Sequence, residues 1–251
     1  MSDNELLFVS VFNYGVIDLA LNHLESLRKQ NIKNYMAFVT DLESVYVLKI
    51  KGHPVSFIED ESVNKEANSF DSPKFNSISF LRYKVIKQLI QNGMNVWYMD
   101  VDTVVLKDLR NIYNQVKNNN IDAFFQNDIN MPCSGCVLYF ANPKTYAFVN
   151  SVEHNKTENY GDQIVVREFI KSHSSKPEFI KFATLNESMF PNGLLYFGDN
   201  EFGVQTPEMF KAIKSEYENM QNKDIYFVHA NWMVGKDTKQ NALKKYGLWF
   251  I

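Results

Sequence analysis

Asp100 and Asp102 stand two residues apart at the end of a short apolar run within residues 95–109, NVWYMDVDTVVLKDL. On an extended backbone, side chains at i and i+2 project to the same face. Both acids are therefore expected to point at one spot just past the strand. Two carboxylates framed by Trp97, Tyr98, Met99 and Val104 repel each other, and each is costly to bury alone. A divalent cation resolves that conflict, especially one whose other oxygen ligands come from water and a substrate's phosphates. A second phosphate-compatible group lies far along the chain. His229 ends the apolar run 225–228, and Gly235, Lys236 and Lys239 follow it shortly after. Backbone N–H groups at a glycine and lysine ammoniums both suit phosphates.

The remaining candidates are single residues, each with a plainer reading beside it. Arg82 falls inside the apolar stripe of a predicted helix (Ile78, Leu81, Val85, Ile86, Leu89), whereas Lys84 and Lys87 fall outside it. A core-facing guanidinium needs an anion, so Asp100, Asp102, a bound phosphate or another acid is its expected partner. Asn13, Tyr14 and Asp41 follow predicted strands, where a parallel sheet binds ligands. They could contact a base or ribose, but Asp41 could equally cap a helix and Tyr14 could simply pack. Asp162 and Gln163 open a predicted helix and could cap it or face a pocket. Asp128, in a polar loop, is a weaker candidate of the same kind. Cys133 and Cys136 supply only half of a zinc site, and with no second pair they read as small residues at a turn.

Alternating strands and helices are expected to position these groups. Residues 6–12 read as a buried strand, followed at Asn13-Tyr14-Gly15 by a helix with Val16, Leu19, Ala20, Leu24 and Leu27 on one face. Strands at 35–39 and 55–58 flank a short helix ending near Leu48, and this alternation predicts a parallel sheet. A polar loop over 59–74 leads to the Arg82 helix at 75–91, stopped by Asn92-Gly93. The apolar chain continues through 103–106. A helix at 109–116, strands at 121–125 and 133–141, a helix at 164–170, one at 207–220 and a strand at 225–228 complete the reading.

At 251 residues with 45% hydrophobic side chains, the chain can bury one large α/β core. A net charge of −3 offers no footprint for nucleic acid, and no apolar run approaches the ~20 residues of a membrane span. The acidic, polar start is unlike a signal peptide. Two cysteines exclude a disulfide framework and fit a reducing compartment, so the expected location is cytoplasmic.

In order, the 75–89 helix, WYMDVDTVVLKDL, CSGCVLYFANP, GDQ and HANWMVGKDTK resemble nucleotide-diphospho-sugar transferases of the GT-A fold. The likeness is greatest to the branch with plant cell-wall xylosyl- and arabinosyltransferases, and more distant to glycogenin-type enzymes. It implies an α/β, Rossmann-like, mostly parallel sheet in a single domain over 1–251. Residues 1–106 would be its nucleotide-sugar half and 107–251 its acceptor side. It implies transfer of a sugar, mostly with retention, from a nucleotide-diphosphate donor such as a UDP-sugar to a hydroxyl of a glycan or protein-linked glycan. Asp100 would contact metal or ribose, Asp102 and His229 would hold Mn²⁺ or Mg²⁺, and Lys236 or Lys239 would hold the departing diphosphate. Asp162 and Gln163 would line the sugar side. Glycogenin-like enzymes have His-x-Gly-x-x-Lys, whereas here Gly235 comes six residues after His229, which leaves the choice of lysine open. Two rivals come from other classes. Asp100-Val-Asp102 also matches the first motif of haloacid-dehalogenase-type phosphatases, with Asp100 as nucleophile, although no later Gly-Asp-x-x-x-Asp follows. The other is a sugar-binding module without turnover.

Overall fold

A computed structural model describes residues 6–60, 65–68, 72–129, 131–198 and 224–251. The helix expected at 207–220 and the first five residues lie outside this set. Parallel strands β1 (Leu6–Phe12), β2 (Tyr35–Val39) and β3 (Val55–Phe57) are linked by α1 (Ile17–Lys29) and α2 (Leu42–Ile50). Next come α3 (Pro73–Gln91), β4 (Asn95–Met99), β5 (Thr103–Val105), α4 (Arg110–Val116), β6 (Ala123–Asn127) and β7 (Pro132–Tyr139). After them follow α5 (Pro143–His154), α6 (Asp162–His173), β8 (Phe182–Thr184), α7 (Gly193–Phe197), β9 (Phe227–His229) and α8 (Lys236–Lys245).

Seven strands form one sheet in the order β3-β2-β1-β4-β7-β6-β8, and β5 pairs with β9 in a separate small sheet. The large sheet is mostly parallel, as expected, with β7 reversed against both neighbours. Its inner strands are covered on both faces, so they read as near-continuous apolar runs rather than alternating ones. Phe8, Phe12, Trp97, Met99 and Leu138 meet Leu24 and Leu27 of α1 on one side. Val9, Val11, Val96, Tyr98 and Val137 meet Leu81, Val85 and Ile86 of α3 on the other. Fully burying a side chain of this size stabilises by about 1.5–3 kcal/mol, and these two layers hold the carboxyl ends of β1 and β4 rigidly beside each other.

Three local departures matter for the site. First, α3 begins two residues before the apolar periodicity does, because the Ser72 hydroxyl accepts from Phe75 N–H and Pro73 fits the first turn. Second, residues 103–105 form a strand whose partner could not be read from periodicity. Thr103 lies opposite His229, Val104 opposite Val228 and Val105 opposite Phe227. Third, Gly135 lies inside β7 rather than at a turn before it. The β6–β7 register jumps from Phe125↔Val137 to Gln126↔Cys133, a bulge that leaves Ser134, Gly135 and Cys136 unmatched on that side.

Candidate functional site: an Asp-Asp-His cluster at the end of β4

The expectation that an extended backbone aligns the two acids needs correction. The chain turns after β4, with Thr103 N–H donating to Asp100 O at 3.1 Å, while Asp100 N–H donates to Gly135 O at 2.7 Å. The carboxylates nevertheless converge, because the β5–β9 ladder brings His229 up beside the turn. His229 Nε2 lies 3.2 Å from Asp102 Oδ1 and 4.0 Å from Asp100 Oδ2. One ligand atom from each of Asp100, Asp102 and His229 falls within 4.8 Å of the others. Two carboxylate oxygens and an imidazole nitrogen form a donor set suited to Mn²⁺ or a similar divalent ion. Gly135 keeps that space clear: a Cβ there would stand 2.4 Å from Asp100 Oδ2 and 2.7 Å from His229 Cε1. The residues present therefore fit a cation.

Charge is balanced tightly around the cluster. Lys239 Nζ donates to Asp102 Oδ2 at 2.6 Å. Burial opposes ionisation of Asp102, but Lys239 and His229 outweigh it and hold its carboxyl well below the usual carboxylate range. Burial likewise opposes charge on His229, yet Asp102 prevails and raises its pKa. Arg82 is buried, as its place in the α3 stripe predicts. Its Nη1 lies 3.2 Å from Asp100 Oδ1, its Nε 3.7 Å from Asp162 Oδ2, and its guanidinium 4.6 Å from the Tyr98 ring centroid. Burial disfavours its charge, but Asp100 and Asp162 keep it protonated. Tyr98 OH adds a 2.7 Å hydrogen bond to Asp100 Oδ1.

A polar chain runs from Arg82 toward α6. Arg82 donates to Ser134 O at 3.2 Å, and Ser134 N–H donates to Gln163 Oε1 at 3.2 Å. Gln163 Nε2 donates in turn to Asp128 Oδ2 at 3.0 Å. Asp128 also accepts from Arg167 at 2.9 Å and from the Trp232 indole at 2.6 Å, so it ties α6 to the loop after β9. Gly161, not Asp162, takes the cap position of α6, and Asp162 accepts from Tyr83 OH at 2.8 Å instead. Asp128, Asp162 and Gln163 thus join the wall that carries Arg82.

Asn13, Tyr14 and Asp41 form a second group at the carboxyl ends of β1 and β2. Asp41 does cap α2, accepting from Ser44 N–H at 2.7 Å, and its other oxygen accepts from Tyr14 N–H at 2.7 Å. Asn13 Nδ2 donates to Glu66 O at 2.8 Å. Gly235 caps α8 at φ +88°, Lys236 begins that helix and is exposed, and Lys239, one turn on, is the lysine at Asp102. Burial pushes both cysteine thiols up, which fits inert packing rather than redox chemistry.

Several positioning residues escaped the sequence reading. Ser10 donates to Met99 O at 2.7 Å, the His23 Nδ1 lies 2.8 Å from Thr103 O, and Ser26 accepts from Val105 N–H at 2.9 Å. Together they fasten the turn between β4 and β5 to α1 from beneath. A signal existed: Ser10 interrupts an otherwise apolar strand, and His23 falls on the apolar face of α1 at helical spacing from Leu19, Ala20 and Leu27. Gln126 followed an apolar run and carried no such signal.

Known proteins resemble this chain in sequence and in fold. The chain is 23% identical over 292 residues to the UDP-galactose:fucoside alpha-3-galactosyltransferase of Dictyostelium discoideum, covering 97% of this chain and 43% of that protein. It is 23% identical over 286 residues to the UDP-D-xylose:L-fucose alpha-1,3-D-xylosyltransferase 3 of Arabidopsis thaliana, covering 100% of this chain and 68% of that protein. It therefore spans less than half the length of the first of these. Among solved structures, the bifunctional glycosyltransferase WbbM aligns with a TM-score of 0.58 at 15% identity, over 96% of this chain and 50% of that one. Mouse xyloside xylosyltransferase 1 aligns with a TM-score of 0.53 at 12% identity, over 90% and 97%. Both likenesses show the GT-A fold. Residues 30–243 match the nucleotide-diphospho-sugar transferase family, and the chain belongs to that family.

Proposed function

We propose that this chain transfers a sugar from a nucleotide-diphosphate donor, a UDP-sugar, to a hydroxyl of a glycan or protein-linked glycan, with a divalent cation at Asp100, Asp102 and His229. The convergence of two carboxylates and an imidazole on a space that Gly135 keeps open carries this reading. Mn²⁺ or Mg²⁺ held there would offset the negative charge that grows on the departing diphosphate. In the transfer the anomeric C–O bond breaks with its electron pair going to the diphosphate oxygen. The acceptor oxygen bonds to the same carbon and passes its proton to the departing diphosphate oxygen, through a transition state with oxocarbenium character.

The chain's own groups divide that work. Lys239, already at Asp102, is near enough to share the diphosphate's charge, and the N–H groups opening α8 after Gly235 suit phosphate oxygens. Arg82 pairs with Asp100 and orients its carboxylate. Asp162, Gln163 and Asp128 would face the sugar, while Asn13, Tyr14 and Asp41 would bound the nucleoside. In this reading 1–106 forms the nucleotide half and 107–251 the acceptor side of one domain. The relatives' names specify alpha linkages, and an α-linked donor giving an α product means retention. Fucose-bearing glycans named for those relatives are the first acceptors to try.

The test is thermal stabilisation by UDP with and without Mn²⁺ or Mg²⁺. UDP should stabilise the protein only with the metal, and Asp102→Asn should abolish the effect. UDP binding that ignores both would refute the metal assignment. Among the described residues, no helix is long and apolar enough to cross a membrane.

A further inference from the structure

We infer that Gln126 is a positioning residue for His229: its side-chain amide keeps a hydrogen on Nδ1 and so leaves Nε2 as the ligating atom. The inference rests on the cation reading above for its purpose, but its physical content is a statement about His229 itself.

Gln126 lies on β6 at the register jump, opposite Cys133, and is fully buried. Its Nε2 lies 3.2 Å from Phe190 O and 3.1 Å from Pro191 O. Both are carbonyls, which only accept, so the two amide hydrogens are committed there and flipping the group would set oxygen against two oxygens. Oε1 is thereby turned to His229 Nδ1, 2.6 Å away. An amide oxygen can only accept, so Nδ1 must carry a hydrogen. The other neighbour of that nitrogen, Cys133 Sγ at 3.9 Å, is a weak and distant partner. Nε2 faces the carboxylates of Asp102 at 3.2 Å and Asp100 at 4.0 Å, which accept its hydrogen when no cation is bound. With the Nδ1 hydrogen held by Gln126, the Nε2 hydrogen is the one a cation displaces, and the Nε2 lone pair is the one that ligates. The same carbonyl of Pro191 also accepts His229 N–H at 3.3 Å, so backbone and ring are braced against one segment.

Without this lock Nδ1 can give up its hydrogen instead. Nε2–H would then stay on the carboxylates and occupy the place a cation needs. Groups that orient a ligating histidine in this way typically change metal affinity about 10- to 100-fold when removed.

Two measurements test the inference. The first reads the ¹⁵N spectrum of the histidines in the unaltered protein without and with Mg²⁺, assigned with His229→Ala. A proton on Nδ1 is expected in both states, with Nε2 losing its own when the cation binds, and a bare Nδ1 in either state would overturn the inference. The second measures Mn²⁺ affinity by the free-ion electron paramagnetic resonance signal. Gln126→Met removes the acceptor, and Gln126→Glu retains it, while both lose the bonds to Phe190 O and Pro191 O. Both should therefore lose stability, but only Gln126→Met should bind Mn²⁺ about 10- to 100-fold more weakly. Equal losses in the two variants, or an unchanged affinity in Gln126→Met, would reduce Gln126 to a structural brace. Absence of Mn²⁺ binding in the unaltered protein would refute the cation reading, and the hydrogen on Nδ1 would still be decided by the metal-free spectrum.

Discussion

Replacing Arg82 by methionine is the most direct perturbation of the wall behind the cluster. Methionine fills similar space in the α3 stripe but removes a buried cation that serves Asp100, Asp162 and Ser134 O at once. Removing one partner of a buried ion pair costs about 3–5 kcal/mol, because the other charge is left uncompensated. Asp100 is 31% exposed on its side chain, so water screens part of its loss, whereas Asp162 is nearly enclosed and is left with the hydrogen bond from Tyr83 OH. The lower end, about 3 kcal/mol, is therefore expected. For a chain of this size that corresponds to roughly 6–12 °C in Tm. Chemical and thermal unfolding of Arg82→Met, Asp162→Asn and the double variant would measure it. The double variant should be less destabilised than the sum of the singles, by about 1–3 kcal/mol, since it leaves no orphaned carboxylate at Asp162. A cost within about 0.5 kcal/mol of zero would mean that Arg82 is not enclosed with these acids, and the account of the site's charge balance would fail. A stability loss with unchanged UDP affinity would mark the pair as structural rather than as a phosphate contact.

Gly135→Ala should cost about 1–3 kcal/mol, because the new methyl must displace Asp100 or His229. It should also erase the metal-dependent part of UDP stabilisation, and a thermal-shift titration that matches the unaltered protein would contradict this. Lys239→Ala should lower turnover roughly a hundredfold while Lys236→Ala stays near the unaltered rate, since Lys239 is the one beside Asp102; initial rates with a UDP-sugar would reverse the assignment if the order is inverted. Burial pushes His23 down to about 4 from its ordinary 6.5, against the opposing pull of Thr103 O and Asp102. Between those values the unfolded chain binds more protons than the folded one, so stability should rise with pH across that window, by about 3 kcal/mol from this group. His53 is pushed to about 4 as well, so the flattening produced by His23→Asn in urea titrations between pH 4 and 6.5, rather than the whole slope, is the measure. No flattening would contradict the burial argument.

The sequence by itself determined the parts whose cause is local. The run 95–99 followed by acids marked a buried strand with charged groups at its end, because water-seeking groups stop an apolar segment. That the chain turns there rather than staying extended came from the structure. Arg82 could be placed on the buried face of α3 because helical periodicity assigns faces without any knowledge of what covers them. Gly93 as a stop followed from backbone chemistry of a few neighbouring residues. The same chemistry offered Asp41 as a cap beside a ligand contact, a choice the structure made for the cap. The ordered motifs were specific enough to reveal the family. What the tertiary structure alone decided is which distant groups meet. His229 faces Asp102 because β5 pairs with β9 in one register, and Phe227, Val228, Val104 and Val105 would satisfy burial equally well in others. Gly135 opens the cation space only through the register jump in β7, and that jump also sets Gln126 behind His229. Lys239 rather than Lys236 reaches Asp102 because α8 begins after Gly235 and turns one face inward. Apolar pattern reports how much of a segment is buried, whereas partner and register depend on close packing between segments far apart in the chain.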